Sequence, residues 1–524
     1  MHDYIIIGAG SAGCVAASRL AETGAKVLLL EAGGEDDWVN IRIPAMMDTI
    51  MDSPYDWGYR TTPQASLYGR KIALNRGKCL GGTSCMNYMV YMRGNRGDYD
   101  HWRKLGNEGW SYEEVLPYFK KSETNERIRD DYHGTSGPLM VSDQKSRSPL
   151  TSLYFEACAA AGMTRNDDVN GATQEGYGWF QATIGKTGRC STAVAFLHPN
   201  RWRKNLEVVT HAHATRLIVE KGRVTGVEYL SHGTLETAHA SAEIVLSGGA
   251  INSPQLLLLS GIGPADELKT LGIAPVHDLP GIGKNLHDHM YAICRFSIEK
   301  PLTISAMNDA EFAAAQAQYL KDATGPLATN FDEAGAFLRT DPTSKWPDVQ
   351  WHFEPTYSVA YFDGAPPERD GYSIFANVCR PESRGTLKLF SADPLAKPLI
   401  DPNYFAEPRD LELTKRGLRK AIEICNSAAF RPIGARQGYP LPDDTSDAVL
   451  ERYIRRTSNT VWHPVGTCKM GHDKMAVVDD RLRVRGLAGL RVADASIMPT
   501  IVSGNTNAPC IMIGEKAADL VRAG

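Results

Sequence analysis

The stretch YIIIGAGSAGCVAASRLAETGAKVLLLE, from Tyr4 to Glu31, decides the fold. Tyr4-Ile5-Ile6-Ile7 reads as a short buried strand, and Ser11 to Thr23 follows a helical period built on small residues. Lys26 to Leu30 is a second apolar strand, ending on the carboxylate of Glu31. Strand, glycine turn, helix, strand is the opening of a parallel, doubly wound α/β sheet. Gly8-Ala9-Gly10-Ser11-Ala12-Gly13 fits G-x-G-x-x-G in the context that gives it meaning, between that strand and that helix. Gly8 permits the tight turn, Gly10 lets the backbone approach a pyrophosphate, and Gly13 lets the helix pack closely on the strand. The phosphates then meet the positive end of the helix dipole. Glu31 is placed to accept hydrogen bonds from an adenosine ribose, and its charge argues against a 2′-phosphate. A dinucleotide is expected; the cradle alone leaves FAD and NAD both open.

Working outward, 524 residues are too many for one compact core, so two domains or one elaborated domain are expected. A net charge of -4 and no long Lys/Arg block give no electrostatic case for nucleic acid. No apolar run reaches the roughly 18 residues of a membrane span. Ile5-Ile6-Ile7 is too short for a secretory core and no basic segment precedes it, so a cytoplasmic location is expected. The ten cysteines form no C-x-x-C pair and read as free thiols.

Ala32 to Gln64 is an irregular excursion of the kind that is usually functional. Gly106 to Glu123 looks like helical surface decoration. Strand-like segments follow at Leu206–Val209 and Leu217–Val219, with a turn at Lys221-Gly222, and Ala242–Leu246 leads into an apolar helix through Leu259. From about Lys300 to Thr457 the chain is β-leaning at Asp348–Phe353, Tyr372–Val378 and Thr386–Leu389, then helical near Leu411–Ala429. This reads as an α+β substrate domain on an antiparallel sheet. The expected division is a discontinuous cofactor domain of residues 1–150, 200–300 and 458–524, with 151–199 and 301–457 forming the substrate domain.

The segment GKCLGGTSCMN at 77–87, continuing through Tyr91, Gly94 and Asp100, resembles the first signature of the glucose–methanol–choline family of flavin oxidoreductases. Gly249-Ala250 through Ser253-Pro254, Leu256-Leu257 and Ser260-Gly261-Ile262-Gly263 resemble the second. The resemblance covers almost the whole chain and implies FAD. Consecutive Gly81-Gly82-Thr83-Ser84 agrees with it, because backbone N–H groups there can crowd against a planar ring and a pyrophosphate. Carried over residue by residue, it implies cofactor contacts at Gly8, Gly10, Ser11, Ala12, Gly13, Glu31 and Ala32. It adds Trp57, Gly77, Gly82, Thr83, Asn87 and Met89, then Ala214, Gly249, Trp462, Asp494, Ala495 and Thr506. Some members tether FAD through a histidine one position before the signature asparagine; Met86 stands there, which implies a non-covalently held flavin.

VWHPVGT at 461–467 resembles the family's segment bearing the catalytic histidine, here His463. DASIMP at 494–499 and SGNTNAP at 503–509 resemble its last flavin-contacting stretch, with Asn505 in the second catalytic slot. Alcohol oxidation requires the hydroxyl proton to leave, which a histidine can accept near neutral pH, while an asparagine amide can donate to the developing alkoxide. The resemblance implies oxidation of a primary alcohol to the aldehyde by hydride transfer to flavin N5. Aryl, furanic or similar alcohols are expected, since residues 300–457 mix aromatics with few evident polar clusters. Reoxidation by O2 to give H2O2 is expected, with a quinone- or dye-linked, choline-dehydrogenase-like dehydrogenase and a non-redox hydroxynitrile lyase as alternatives. The H-x-H pairs His211/His213 and His287/His289 suggest no third ligand, and no metal is expected. Met46, Met47 and Met51 are either an adaptable substrate lid or core. The sequence leaves the oligomeric state open.

Overall fold

The strand His2–Ile7 lies between Val27–Leu30 and the inner half of the long strand Thr234–Leu246, parallel to both. Leu206–Val209 extends the parallel layer on one side and Leu490–Val492 on the other. The computed structural model describes residues 1–358 and 370–524. Thr234–Leu246 changes partners along its length. Its outer half runs antiparallel to Arg223–Ser231, which pairs in turn with Ala212–Glu220, and the seven strands form one sheet. Only the last residues of Thr234–Leu246 are fully buried, which is why periodicity marks Ala242–Leu246 alone.

The helix Ser11–Glu22 packs on the C-terminal helix Asn507–Arg522 through small residues: a Cβ at Gly514 would come 2.6 Å from the Ala12 carbonyl oxygen. The helix Tyr112–Ser122 is not surface decoration. Tyr112, Val115 and Phe119 enter the main core, and Lys121 and Arg19 both reach the buried carboxylate of Glu515. Its amphipathic stripe belongs to the packing between these helices.

The second sheet is antiparallel in order Arg436–Gln437, Met290–Ser297, Gly371–Val378, Val349–Glu354, Ala334–Leu338, Gly176–Trp179, with Asn459–Thr460 paired to Met290 and Tyr291. It therefore draws Met290–Ser297 and Asn459–Thr460 from segments that the sequence reading grouped with the cofactor domain. Helices Pro408–Cys425 and Pro149–Ala160 cover one face, and Leu418, Ala421 and Tyr154 close a second hydrophobic core there. The strand Val349–Glu354 shows the two-residue period plainly. Val349, Trp351 and Phe353 enter that core, while Gln350, His352 and Glu354 project from the opposite face.

Candidate active site

A cleft of about 2100 Å³, open to solvent at its mouth, runs between the two sheets. Three helices begin at its wall: Ser11–Glu22, Gly249–Leu259 and Asn507–Arg522, none capped by the side chain of its own N-cap residue. The positive ends of three helix dipoles thus converge on one space, which suits an anion. The glycines show how closely it is built. A Cβ on Gly8 or Gly82 would collide with backbone, at 2.6 Å from Ser247 O and 2.7 Å from Gly10 Cα. One on Gly10 would meet nothing nearer than 3.8 Å, so the free side of Gly10 faces the cleft. Gly13 does not line the cleft; its Cβ would sit 1.9 Å from the Gly8 carbonyl oxygen, and its role is packing. The other positions expected to touch the cofactor, from Gly8 to Thr506, all line the cleft. An extended dinucleotide fits this chain's residues: a bare glycine turn for a pyrophosphate, and Glu31 at a strand end for a ribose.

Glu31 accepts hydrogen bonds from the N–H groups of Ala9 and Gly33, each at 2.9 Å. Burial raises its pKa to about 7, against the opposing pull of those donors. Asp494 ties two distant segments together: it accepts from Gly249 N, Ser253 Oγ and Ser496 N. Asn87 Oδ1 accepts from Arg189 and from Met89 N, holding Met89 at a left-handed φ of 58°. Trp462 is held at φ 59°, with its N–H on Thr460 Oγ1 and its carbonyl oxygen on Arg76 Nη2. Non-glycine residues in this region mark over-determined, usually functional, backbone. Trp57 stacks on Tyr59, and Met51 alone of the three early methionines lines the cleft, Met47 being fully buried.

At the end of the cleft stand His463 and Asn505. The carboxylate of buried Asp288 accepts the backbone N–H groups of both His289, at 2.9 Å, and His463, at 2.8 Å, so it brings the two histidines together. Their Nδ1 atoms lie 3.0 Å apart. His289 Nε2 faces the carbonyl oxygen of Cys379 at 2.9 Å, which can only accept, so Nε2 carries the proton. Burial lowers the pKa of His289 to about 4, so it is neutral and its Nδ1 is a bare acceptor. His463 must then donate from Nδ1, which leaves its Nε2 as a lone pair. That lone pair lies 3.4 Å from Asn505 Nδ2. Gln350 Nε2 donates to Asn505 Oδ1 at 3.2 Å, so the amide is oriented with its own N–H groups toward His463. Burial, the neighbouring His289 and His352 and the cation of Arg76 hold the pKa of His463 well below the ordinary histidine value. The pair is an acceptor and a donor converging on one point, suited to a hydroxyl group.

The H-x-H pairs serve other purposes. His287 Nε2 meets Asn285 Oδ1, His289 is committed to His463, and His213 Nε2 meets the Pro394 carbonyl oxygen. Arg380 donates to Ser503 Oγ and the Pro347 carbonyl oxygen, joining the last cofactor loop to the antiparallel sheet. Sequence reasoning missed Arg76, Tyr88, Asp332, His352 and Glu354, which also line the cleft. Residues 300–457 therefore do carry a polar cluster. Its signal was available in the alternation of Gln350, His352 and Glu354 with Val349, Trp351 and Phe353. Among the described residues no helix is long and apolar enough to cross a membrane, and all ten cysteines are free thiols.

Comparisons with known proteins agree with this architecture. Two family models described as GMC oxidoreductase match residues 2–291 and 381–514. The chain is 42% identical to an alcohol dehydrogenase [acceptor] of Pseudomonas putida, over 99% of this chain and 96% of that one. It is 43% identical to an oxygen-dependent choline dehydrogenase of Pseudomonas fluorescens (strain SBW25), over 99% and 94%. The crystal structure of pyridoxine 4-oxidase from Mesorbium loti superposes with a TM-score of 0.91 at 32% identity, covering all of both chains. The protein is thus an FAD-dependent oxidoreductase acting on CH–OH donors, and the chain belongs to the GMC oxidoreductase family.

Proposed function

We propose that this protein oxidises a small primary alcohol to the aldehyde as a dehydrogenase that passes electrons to an acceptor other than oxygen. The observation that carries the reading is the Nε2 lone pair of His463 opposite the Asn505 amide, at the end of a cleft suited to FAD. An alcohol oxygen seated between them accepts a hydrogen bond from Asn505 Nδ2 and donates its proton to His463 Nε2. As that proton leaves, the negative charge on oxygen is met by the Asn505 donor. The flavin, when bound, supplies the two-electron acceptor for the carbinol hydride. Asp288 and His289 touch no reacting atom; they position His463 and fix its tautomer. Glu31, the turn around Gly10 and the three helix starts hold the dinucleotide. Met86 lines the cleft and offers no imidazole nitrogen for a tether, which favours a non-covalent flavin.

The sequence reading favoured an oxidase of aryl or furanic alcohols. The P. putida relative's name, alcohol dehydrogenase [acceptor], instead supports the dehydrogenase reading. An oxidase stays as the second reading because the relative from P. fluorescens is named oxygen-dependent and the M. loti neighbour is a pyridoxine 4-oxidase. Stopped-flow mixing separates them. The dehydrogenase reading expects alcohol-reduced enzyme to be reoxidised slowly in air-saturated buffer and rapidly by a quinone or dye. Fast reoxidation by air would install the oxidase. Absence of flavin reduction by every alcohol in a panel would overturn alcohol oxidation itself.

A further inference from the structure

The cleft wall facing His463 carries a second polar group that proton abstraction does not use. Asp332, 6% exposed and just before the strand Ala334–Leu338, lines the cleft beside Glu354, 7% exposed, and His352 on the sheet. Burial together with the neighbouring Asp332 raises the pKa of Glu354 well above the carboxylate range. Two carboxyls crowded into one buried site favour an arriving cation, which offsets their mutual repulsion. Among the described residues no Lys or Arg forms an ion pair with either carboxyl; the only partner of that kind is His352, whose Nδ1 comes within 3.3 Å of Asp332 Oδ2. Exposed Asp48 accepts a hydrogen bond from Tyr88 Oη at 2.7 Å, and its charge also raises the pKa of Glu354.

An acidic pair alone would carry little. The further observation is what remains unsatisfied around it. His352 is 3% exposed and lines the cleft, yet its Nε2 has no hydrogen-bond partner among the described residues. Neither do Asp332 Oδ1 and Gln350 Oε1 beside it. Oxygen acceptors left bare at such depth carry their full desolvation penalty unless a donor arrives. Gln350 links the two ends of the site, since its amide nitrogen bonds the Asn505 that faces His463. His352 shares its strand face with Gln350 and lines the same cleft as His463.

We propose that Asp332, Glu354, His352 and Gln350 form a recognition site for an ammonium group bearing at least one N–H, so that the substrate is a short amino alcohol in its protonated form. The charge answers the carboxyl pair, and the N–H groups answer the bare acceptors, which a quaternary ammonium cannot do. Aromatic Tyr88, Tyr291 and Phe375 line the same part of the cleft and suit a cation's carbon skeleton. The inference rests on the alcohol-oxidising reading of the same site, and its test needs no turnover.

Dissociation constants of the flavin-loaded enzyme, read from perturbation of the flavin absorbance or by calorimetry, would be measured for four non-oxidisable ligands of similar shape. These are n-butylammonium, n-butyltrimethylammonium, pentanamide and pentanoate. Butylammonium should bind about 10- to 100-fold tighter than pentanamide, the span that a charged hydrogen bond adds over a neutral one. It should also bind tighter than the trimethyl compound, with pentanoate weakest. Asp332→Asn and Glu354→Gln should each reduce the preference for butylammonium over pentanamide at least severalfold while retaining FAD. Equal binding of butylammonium and pentanamide, tighter binding of the quaternary compound, or a preference unchanged in both variants would each overturn the proposal. A cation preference without flavin reduction by any alcohol would instead sink the proposed activity and leave the ammonium site standing.

Discussion

At the scale of single residues, the chemistry depends on which nitrogen of His463 carries a proton. The chain Cys379 O, His289, His463 has a direction because its first member can only accept. Every later proton position follows, and the lone pair emerges on the cleft side. His463→Ala should accordingly slow flavin reduction by alcohol about 10²- to 10⁴-fold, the usual contribution of a positioned base, with FAD still bound. Near-normal single-turnover reduction would remove His463 from the mechanism. The acid limb of the pH profile tests the protonation state. His463 faces His289, His352 and the cation of Arg76, and burial adds to their effect, so its folded pKa lies below the unfolded value near 6.5. The base is therefore competent throughout neutral pH, and the limiting flavin-reduction rate should stay flat from pH 8 to 6 and decline only below. A midpoint at 6.5 or higher would mean that His463 is not held neutral. The same sign makes acid destabilising: below about pH 6.5 the unfolded chain takes up a proton that the folded His463 refuses.

At the scale of elements, the first strand, turn and helix serve two functions that single substitutions separate. Gly10 faces the cleft and Gly13 faces the Gly8 carbonyl oxygen 1.9 Å from a built Cβ. Gly13→Ala should overpack the helix against the turn and lower the stability of the FAD-free protein by about 1–3 kcal/mol. Gly10→Ala, with open space before it, should leave that stability nearly unchanged and weaken FAD binding. Denaturant unfolding of the FAD-free variants, alongside FAD titration, distinguishes them; equal destabilisation by both would contradict the assignment. These elements were legible because strand, glycines and helix are contiguous and their period is local. Thr234–Leu246 was half legible, since its outer half is exposed and lacks the apolar run of the inner half. Val349–Glu354 was legible as a strand, but not as a wall of the site. Alternation says which residues share a face and is silent on whether that face meets solvent or a cleft. The His289–His463 contact was out of reach for a related reason: 174 residues separate the partners, and Asp288 joins them through backbone N–H groups that any residue supplies.

At the scale of the whole molecule, the cofactor site is assembled from parts that are remote in the chain. Helices starting at Ser11, Gly249 and Asn507 meet at one cleft, Ser11 Oγ donates to Asn507 Oδ1, and Asp494 clamps Gly249. The antiparallel sheet forms the other wall through Tyr291, His352 and Phe375. A dinucleotide lying in this cleft touches both walls, while the unfolded chain offers it nothing equivalent, so binding must add to folding stability. Thermal unfolding should consequently shift to higher temperature as free FAD is raised, and the FAD-free protein should unfold earliest. Met86 sharpens the same experiment, because an untethered flavin is free to leave when these converging segments come apart. Acid precipitation of the holoenzyme should leave the yellow chromophore in the supernatant and a colourless pellet. A yellow pellet would show a covalent bond to some other side chain of the cleft, and the midpoint would then be independent of added FAD.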